Sequence, residues 1–254
     1  MRFAGMLALA ATTGCIAVSA HTKAYLDPAV PANTIVRRVA LVPNRLPANL
    51  LEPEKWRKFN WEVASKALRA KGYDVIDYQT SVSAFEKAAL PIEDTHSSRD
   101  KLAELASALG VDAILIPYYG TFASARPSFL IQSAEFSAVS TFQIYLPSRN
   151  DFASRLDTAG KAEYTTGILT LLGLTSIILG AAQLSAPCSS TPCDNSSQQA
   201  LGQALSLTGG LFVLADMIVG VYYASKPTDS YWESAFDKSI RDSIDVFAQR
   251  FPAR

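Results

Sequence analysis

Two long uncharged apolar runs near the carboxyl end, joined by a short loop with two cysteines, limit what this chain can fold into. The first runs from Tyr164 to Ala182, and the second from about Ala204 to Ala224, interrupted only by Asp216. Each reaches the roughly 18 to 20 residues that a helix needs to cross ~30 Å of hydrocarbon. Between them lie Pro187, Cys188, Pro192, Cys193 and several serines, with no Lys or Arg. Such a stretch is rich in turn formers. The runs predict a membrane-type hairpin of two helices set into a globular domain.

Helical spacing orders the hairpin further. On the first run Thr166, Thr170, Gly173, Ile177 and Gly180 fall along one strip. On the second, Ser206, Gly209, Val213, Asp216, Gly220 and Ala224 do so. Small residues let membrane helices approach closely, and hydroxyls bond across them. Gly173, Gly180, Gly209 and Gly220 are therefore expected to pack at a helix–helix seam with Asp216. A carboxylate is costly in hydrocarbon and faces a bundle interior or water. Two roles are open to Asp216: a protonated or hydroxyl-bonded structural group at the seam, or a polar oligomer axis or conduit lining.

The amino terminus has the layout of an export signal. Met1-Arg2 is a minimal positive region, Phe3 to Ala11 is apolar, and Gly14-Cys15 follows. Such a run is short for a transmembrane helix and fits a secretory leader. Gly14-Cys15 resembles the lipobox of bacterial lipoproteins, which implies lipidation of Cys15 as the first mature residue. Thr12 stands where lipoboxes carry Leu. Val18-Ser19-Ala20 offers an ordinary cleavage site as the rival, and an uncleaved anchor is the third reading. Of three cysteines, Cys188 and Cys193 then remain as a pair, expected to form a disulfide in an oxidising compartment, with two free thiols as the alternative. Two thiols without nearby His are too few ligands for structural zinc, so no metal is expected.

Formal net charge is zero, which leaves no electrostatic footprint for nucleic acid. Outside the hairpin the pattern alternates strand and helix. Val36–Val42 is β-branched and reads as a strand. Pro53 opens a helix with Trp56, Phe59, Val63 and Ala67 at helical spacing, stopped at Lys71-Gly72. Tyr73–Tyr78 reads as a second strand, and Val82–Leu90 as a short helix. Ser97 and Asp100 form a capping box for a helix closed by Gly110. Val111–Pro117 reads as a buried strand. Residues 136–145 alternate with period two, as a strand with one buried face does. Arg149–Asp151 makes a turn, and Phe152–Glu163 returns antiparallel. Tyr231–Phe251 closes the domain as an amphipathic helix. The fold class is α/β (α+β), a mixed sheet with flanking helices plus the inserted hairpin. Four segments follow: 1–20 as leader and start of a linker, 21–160 as the α/β domain, 161–226 as the hairpin and 227–254 as the closing helix.

Catalysis finds no foothold. His21 falls in a linker, and His96 lies ahead of a helix cap. No dinucleotide fingerprint, phosphate loop or nucleophile elbow is present. Glu93, Asp94 and Asp100 sit where a helix start attracts acids. The chain is expected to be no enzyme, with no catalytic residue and no cofactor.

Val39-Ala-Leu-Val-Pro43, Gly72-Tyr73-Asp-Val, the run from Leu102 to Leu115 and the late amphipathic helix together resemble one known group. They look like the periplasmic α/β domain of curli-pore-type lipoproteins and of the Tol-system propeller protein's amino-terminal domain. The resemblance covers about residues 34–160 and 228–251, on structural and generic motifs. It implies assembly of envelope complexes or secretion pores rather than catalysis. The chain departs from the group in carrying a helical hairpin where curli-type pores use membrane β-hairpins.

Lys161 and Lys226 flank the hairpin on the domain side. Crossing the inner membrane with a periplasmic domain would reverse the positive-inside bias and put the cysteine loop in reducing cytosol. The expected location is therefore the cell envelope, lipid-anchored at the periplasmic face of the outer membrane. A cytosolic domain with a false leader, or a non-spanning spike held by a partner, remain as alternatives. The expected function is an exported lipoprotein acting as an assembly component of an envelope complex, its partners membrane lipid and either further copies or envelope proteins. A transport conduit built from several hairpins is the alternative. A periplasmic module binding a peptide or glycan is the second.

Overall fold

The computed structural model describes residues 17–31, 34–42, 46, 52–88, 90, 99–127, 132–166, 168–185, 196–225 and 228–253. Cys15, Cys188, Cys193, His96 and Ser97 lie outside them. The chain divides into two compact units. One holds 18–122, 136–162 and 231–254, and the other holds 123–135 and 163–230 together with Ala17.

A six-stranded mixed sheet runs through the fold in the order β1-β6-β5-β4-β2-β3. Its strands are β1 (Ala17–Leu26), β2 (Arg38–Leu41), β3 (Asp74–Val75), β4 (Ala113–Pro127), β5 (Gln132–Leu146) and β6 (Asp151–Thr166). The helices are α1 (Pro53–Ala70), α2 (Tyr78–Lys87), α3 (Arg99–Leu109), α4 (Ile168–Ser185), α5 (Ser196–Ala224) and α6 (Thr228–Arg250). The expected mixed α/β fold with flanking helices is what forms.

β2 is parallel to both its neighbours. Val39 pairs with Val75 of β3 and with Ala113 of β4. Parallel neighbours need a crossover, and α1 and then α2 with α3 supply the two. Asp112 secures the junction before β4: its carboxylate accepts the backbone N–H groups of Arg37 and Arg38 at 2.8 and 2.9 Å. Short connections make β4, β5 and β6 an antiparallel meander. The turn between β5 and β6 is a 3-10 turn over Pro147–Arg149, ended by Asn150 in the left-handed region. Asn tolerates that region better than most residues.

The sheet is covered on both faces beside its parallel strands. Ala40, Ile114 and Ile116 pack with Phe85 of α2 and Leu102 and Leu105 of α3. On the other face α1 and α6 meet over Leu41, Leu115 and Phe142, all fully buried. Trp56 lies 5.5 Å from Phe236, and Tyr73 lies 5.2 Å from Phe247, measured between ring centroids. The Tyr73 hydroxyl donates to the Phe251 carbonyl, and burial pushes its pKa up to about 12. α6 approaches β6 so closely that a Cβ on Gly160 would overlap the Ala235 carbonyl oxygen. Beside that contact the buried hydroxyls of Ser140, Thr158 and Ser243 bond in a chain, and Thr158 also donates to Thr22 of β1.

Three sequence expectations change. The strand expected over 73–78 is only Asp74–Val75. Asp77 instead caps α2, its carboxylate accepting the Thr80 N–H at 2.9 Å, so Tyr78 begins a helix and the expected Val82–Leu90 helix starts earlier. His21 lies in β1 rather than a linker. β1 is the edge strand of the sheet and pairs through its backbone, so its mostly exposed side chains carry no apolar alternation to be read.

Candidate functional site

The residue types singled out for the hairpin converge in α4 and α5. These helices pack side by side and antiparallel. Gly173 meets Gly209 and Val213, whereas Gly180, further along α4, meets Gly202 and Ser206, further back along α5. At Gly173 a Cβ would stand 2.5 Å from the Gly209 carbonyl oxygen, and at Gly180 2.6 Å from that of Gly202. Only glycine lets backbones approach this closely. Gly202, Gly209 and Asp216 recur every seven residues, the repeat that keeps one stripe of a helix on its partner.

Asp216 ends that stripe. It is 5% exposed, and its Oδ2 accepts from the Thr170 N–H at 3.0 Å and from the Thr170 hydroxyl at 2.7 Å. Thr170 is the third residue of α4, so its N–H belongs to the four at a helix start that find no acceptor within the helix. Asp216 therefore caps α4 from the neighbouring helix. It stands at the positive end of the α4 dipole. The arrangement places Asp216 opposite the first turn of α4, at one end of the pair.

Of the four glycines expected at the seam, Gly173, Gly180 and Gly209 lie on it and Gly220 does not. A Cβ on Gly220 meets nothing within 4 Å. With Thr170 opposite Asp216, residue 220 falls beyond the first residue of α4 and has no helix to pack against. Gly202, which sequence reasoning passed over, takes the remaining place. The i, i+7 spacing with Gly209 was the signal for it.

We expect Asp216→Asn to leave the α4/α5 pair close to wild-type stability, since a side-chain carbonyl still accepts from Thr170. Asp216→Leu strands both Thr170 donors in an apolar setting and is expected to cost about 1–3 kcal/mol. Thermal midpoints of the full chain in detergent, followed by circular dichroism, separate the two. Equal damage by Asn and Leu would point to the charge itself and to a conduit lining.

The outward faces of this pair are apolar. Leu207, Met217, Ile218 and Val221 of α5 are 61–71% exposed, and Ile178 of α4 is 67% exposed. Within Ser196–Tyr222 the most apolar 18-residue window has a mean hydropathy of 1.9, and 11% of that window is buried. Among the described residues this is the one helix long and apolar enough to cross a membrane, and Thr170–Ser185 is a shorter apolar helix.

The α/β unit offers shallower features. An open cleft of about 590 Å³ lies between α2 and α3, beside Thr80, Lys87 and Glu104. A second, of about 310 Å³, lies along β1 and β6 beside Tyr25 and Phe152. The Trp61 indole N–H is buried without a partner, yet the space beside it, lined by Leu41, Tyr78 and Tyr119, measures about 10 Å³. That is about the volume of one water. Among the described residues no group of three or more His, Cys, Asp and Glu is placed to hold a metal ion.

No family model matches the chain, and no curated protein matches it. Solved structures to which the chain is similar include the PelC dodecamer from Paraburkholderia phytofirmans. That match has 15% identity and a TM-score of 0.34, covering 56% of this chain and 80% of that one. The LpoB C-terminal domain from Salmonella enterica matches at 19% identity and a TM-score of 0.29, over 52% of this chain and 85% of that one. The hypothetical protein CT253 from Chlamydia trachomatis matches at 13% identity and a TM-score of 0.33, over 74% and 99%. At these identities and scores the likeness carries no argument about function.

Proposed function

We propose that this protein is an exported lipoprotein that serves as a non-enzymatic assembly component of a cell-envelope complex, held to a membrane by the α4/α5 pair. The observation that carries the reading is the apolar surface of α5, of which so little is buried. Exposed apolar patches of this extent mark a membrane or a partner rather than water. The flanks favour membrane. From Thr165 to Val221 the chain has no Tyr, Trp, Lys or Arg, whereas Lys161, Tyr164, Tyr222, Tyr223 and Lys226 stand just outside that stretch. Tyr and Trp gather where a helix leaves the hydrocarbon, and Lys follows them. All of these groups are at the end where the helices join the α/β unit in sequence, and none is at the cysteine loop.

The leader-like start supports lipidation at Cys15. In that reaction the Cys15 thiol displaces the phosphoglycerol headgroup of a phosphatidylglycerol. A thioether to the diacylglyceryl group forms and glycerol phosphate leaves. Hydrolysis of the Gly14–Cys15 peptide bond then frees the mature amino terminus. The conduit reading lacks comparable support, because the Asp216 carboxylate is engaged by Thr170 of the same chain.

Fractionation of cells making the full chain tests the proposal. The protein is expected in the membrane pellet after alkaline carbonate extraction, with an intact mass that begins at Cys15 and includes a diacylglyceryl group. Thiol alkylation is expected to need reductant at Cys188 and Cys193. Release by carbonate, with a mature chain starting at His21 and no lipid, overturns the reading.

A further inference from the structure

The α4/α5 pair carries a second helix-packing face that its own seam leaves open. On α5, Gln203, Gly210 and Met217 recur every seven residues, and Leu207, Leu214 and Val221 follow each of them by four. Together they form one stripe with an average spacing of about 3.5, the repeat of a supercoiled helix contact. The seam stripe of Gly202, Gly209 and Asp216 stands one residue earlier, about 100° around the helix, so both faces can be occupied at once. Leu207, Leu214, Met217 and Val221 are each more than half exposed. A Cβ on Gly210 meets nothing within 4 Å. An open groove of about 760 Å³ lies there, lined by Gln203, Ser206, Leu207, Leu211 and Leu214 of α5 and by Leu184 of α4. Leu184 and Ser206 also pack in the seam, against Gly202 and Gly180, so the groove continues that packed surface.

Polar groups in the groove decide what fills it. Elsewhere on the pair the hydroxyls of Thr175, Ser176, Ser185 and Thr208 donate to carbonyls one turn back, at 2.8–3.0 Å. Those hydroxyls need nothing from outside. The Gln203 amide and the Ser206 hydroxyl have no partner among the described residues, and lipid tails offer neither donor nor acceptor. Gln203 stands 19 residues before Tyr222, about 28 Å along the helix, and so falls inside a hydrocarbon layer of ~30 Å that begins at Tyr222. A glutamine amide carries both donors and an acceptor, which makes it complementary to itself. Copies inserted from one side of a membrane run parallel, and a two-fold axis between them sets each stripe residue against its own counterpart. In lipid, close packing and hydrogen bonds must hold helices together, because burial of apolar surface does not. The gap at Gly210 allows the first, and Gln203 supplies the second. We propose that the partner of this stripe is α5 of a second copy of the chain, packed in parallel, with Gln203 bonded to its counterpart and leucines of each copy seated in the gap at Gly210 of the other. The inference rests on the reading of α4 and α5 as a membrane element and adds what that element assembles with.

Photo-crosslinking in membranes tests this. A benzoylphenylalanine replaces Leu207, Leu214, Leu201 or Phe212 in turn in the full chain, and carbonate-washed membranes are irradiated. Leu201 and Phe212 lie on the side of α5 opposite the stripe. Adducts with twice the mass of the chain are expected from positions 207 and 214, at least about fivefold above those from 201 and 212. Gln203→Leu removes the amide and Gly210→Leu fills the gap, and each is expected to lower the adduct from position 214 by about fivefold. Neither residue packs in the seam, so the thermal midpoint of the α4/α5 pair in detergent should match that of the parent. Equal yields at all four positions, or adducts of another mass from 207 and 214, overturn the proposal. An adduct that both variants leave unchanged overturns it too, since the contact then lacks the chemistry assigned to it. Absence of any adduct from protein that stays in the washed membranes overturns the self-contact while the membrane reading stands. Release of the protein by carbonate ends both.

Discussion

Gly160→Val is expected to unfold the α/β unit or bring it close to unfolding. A Cβ at residue 160 overlaps the Ala235 carbonyl oxygen and comes within 2.8 Å of the Ser239 Cβ and 3.1 Å of its backbone nitrogen. Two of those three atoms are backbone of α6, so no rotamer change relieves the clash. The helix must lift from β6, and with it go Phe236, Ile240 and Phe247, all fully buried. Overpacking of a well-filled core costs typically 1–3 kcal/mol, occasionally more, and this site is expected at or above about 3 kcal/mol. Domains have only about 5–15 kcal/mol in total. Urea titration of the detergent-solubilised chain, followed by tryptophan fluorescence, reads the shift. Gly210→Ala is the matched control. Its Cβ meets nothing within 4 Å, and alanine is the better helix former. An unchanged midpoint for Gly160→Val would mean that α6 does not sit on β6 as described.

Gly209→Val is expected to have the largest effect within the other unit. Its Cβ would overlap the Gly173 carbonyl oxygen and lie 2.7 Å from Ile177 Cγ1. Separation of α4 from α5 would also pull Asp216 from Thr170. A loss of ~2 kcal/mol in the pair speeds exchange of the Thr170 amide hydrogen by about 30-fold if that amide opens with the pair. The Val39 and Leu115 amides, in the other unit, should keep their protection. Hydrogen exchange in detergent, resolved by residue, makes the comparison. Uniform acceleration at all three amides would mean that the damage is not confined to the α4/α5 pair.

Much of the α/β pattern was legible because burial writes it into side chains. Phe136, Ala138, Ser140, Phe142 and Ile144 alternate since one face of β5 meets the core, and Phe236, Ile240, Phe247 and Phe251 recur since one stripe of α6 does. β1 carries no such mark. Apart from the Thr22–Thr158 hydroxyl contact, it is held through its backbone, and a strand at a sheet edge with exposed side chains is compatible with almost any composition. The Asp77 cap was missed for a related reason: the apolar residues around it suit a strand as well as a helix start. The seam was half legible. Gly173, Gly180 and Gly209 follow from small-residue spacing, but Gly220 fails because apolarity alone cannot say where α4 begins. The apolar run starts at Tyr164, whereas β6 continues through Thr166 and keeps those residues in the sheet. The Thr170–Asp216 pairing depends on that junction.

The two apolar helices differ in length, and the shorter one governs. α4 has 18 residues and spans about 27 Å, whereas α5 has 29 and spans about 44 Å. In a bilayer α5 could tilt to suit a wide range of thickness. α4 has no such slack, because any tilt shortens its projection further. The glycine contacts fix the two together, so the pair tilts as one body. A thick membrane must then thin around α4 or draw its Ser185 end out of the interface, at a fraction of a kcal/mol for each Å of mismatch. A thin membrane needs neither adjustment. In the proposed membrane placement, a pair held at the described length of α4 would favour the thinner of two available bilayers, independently of any address read from the leader.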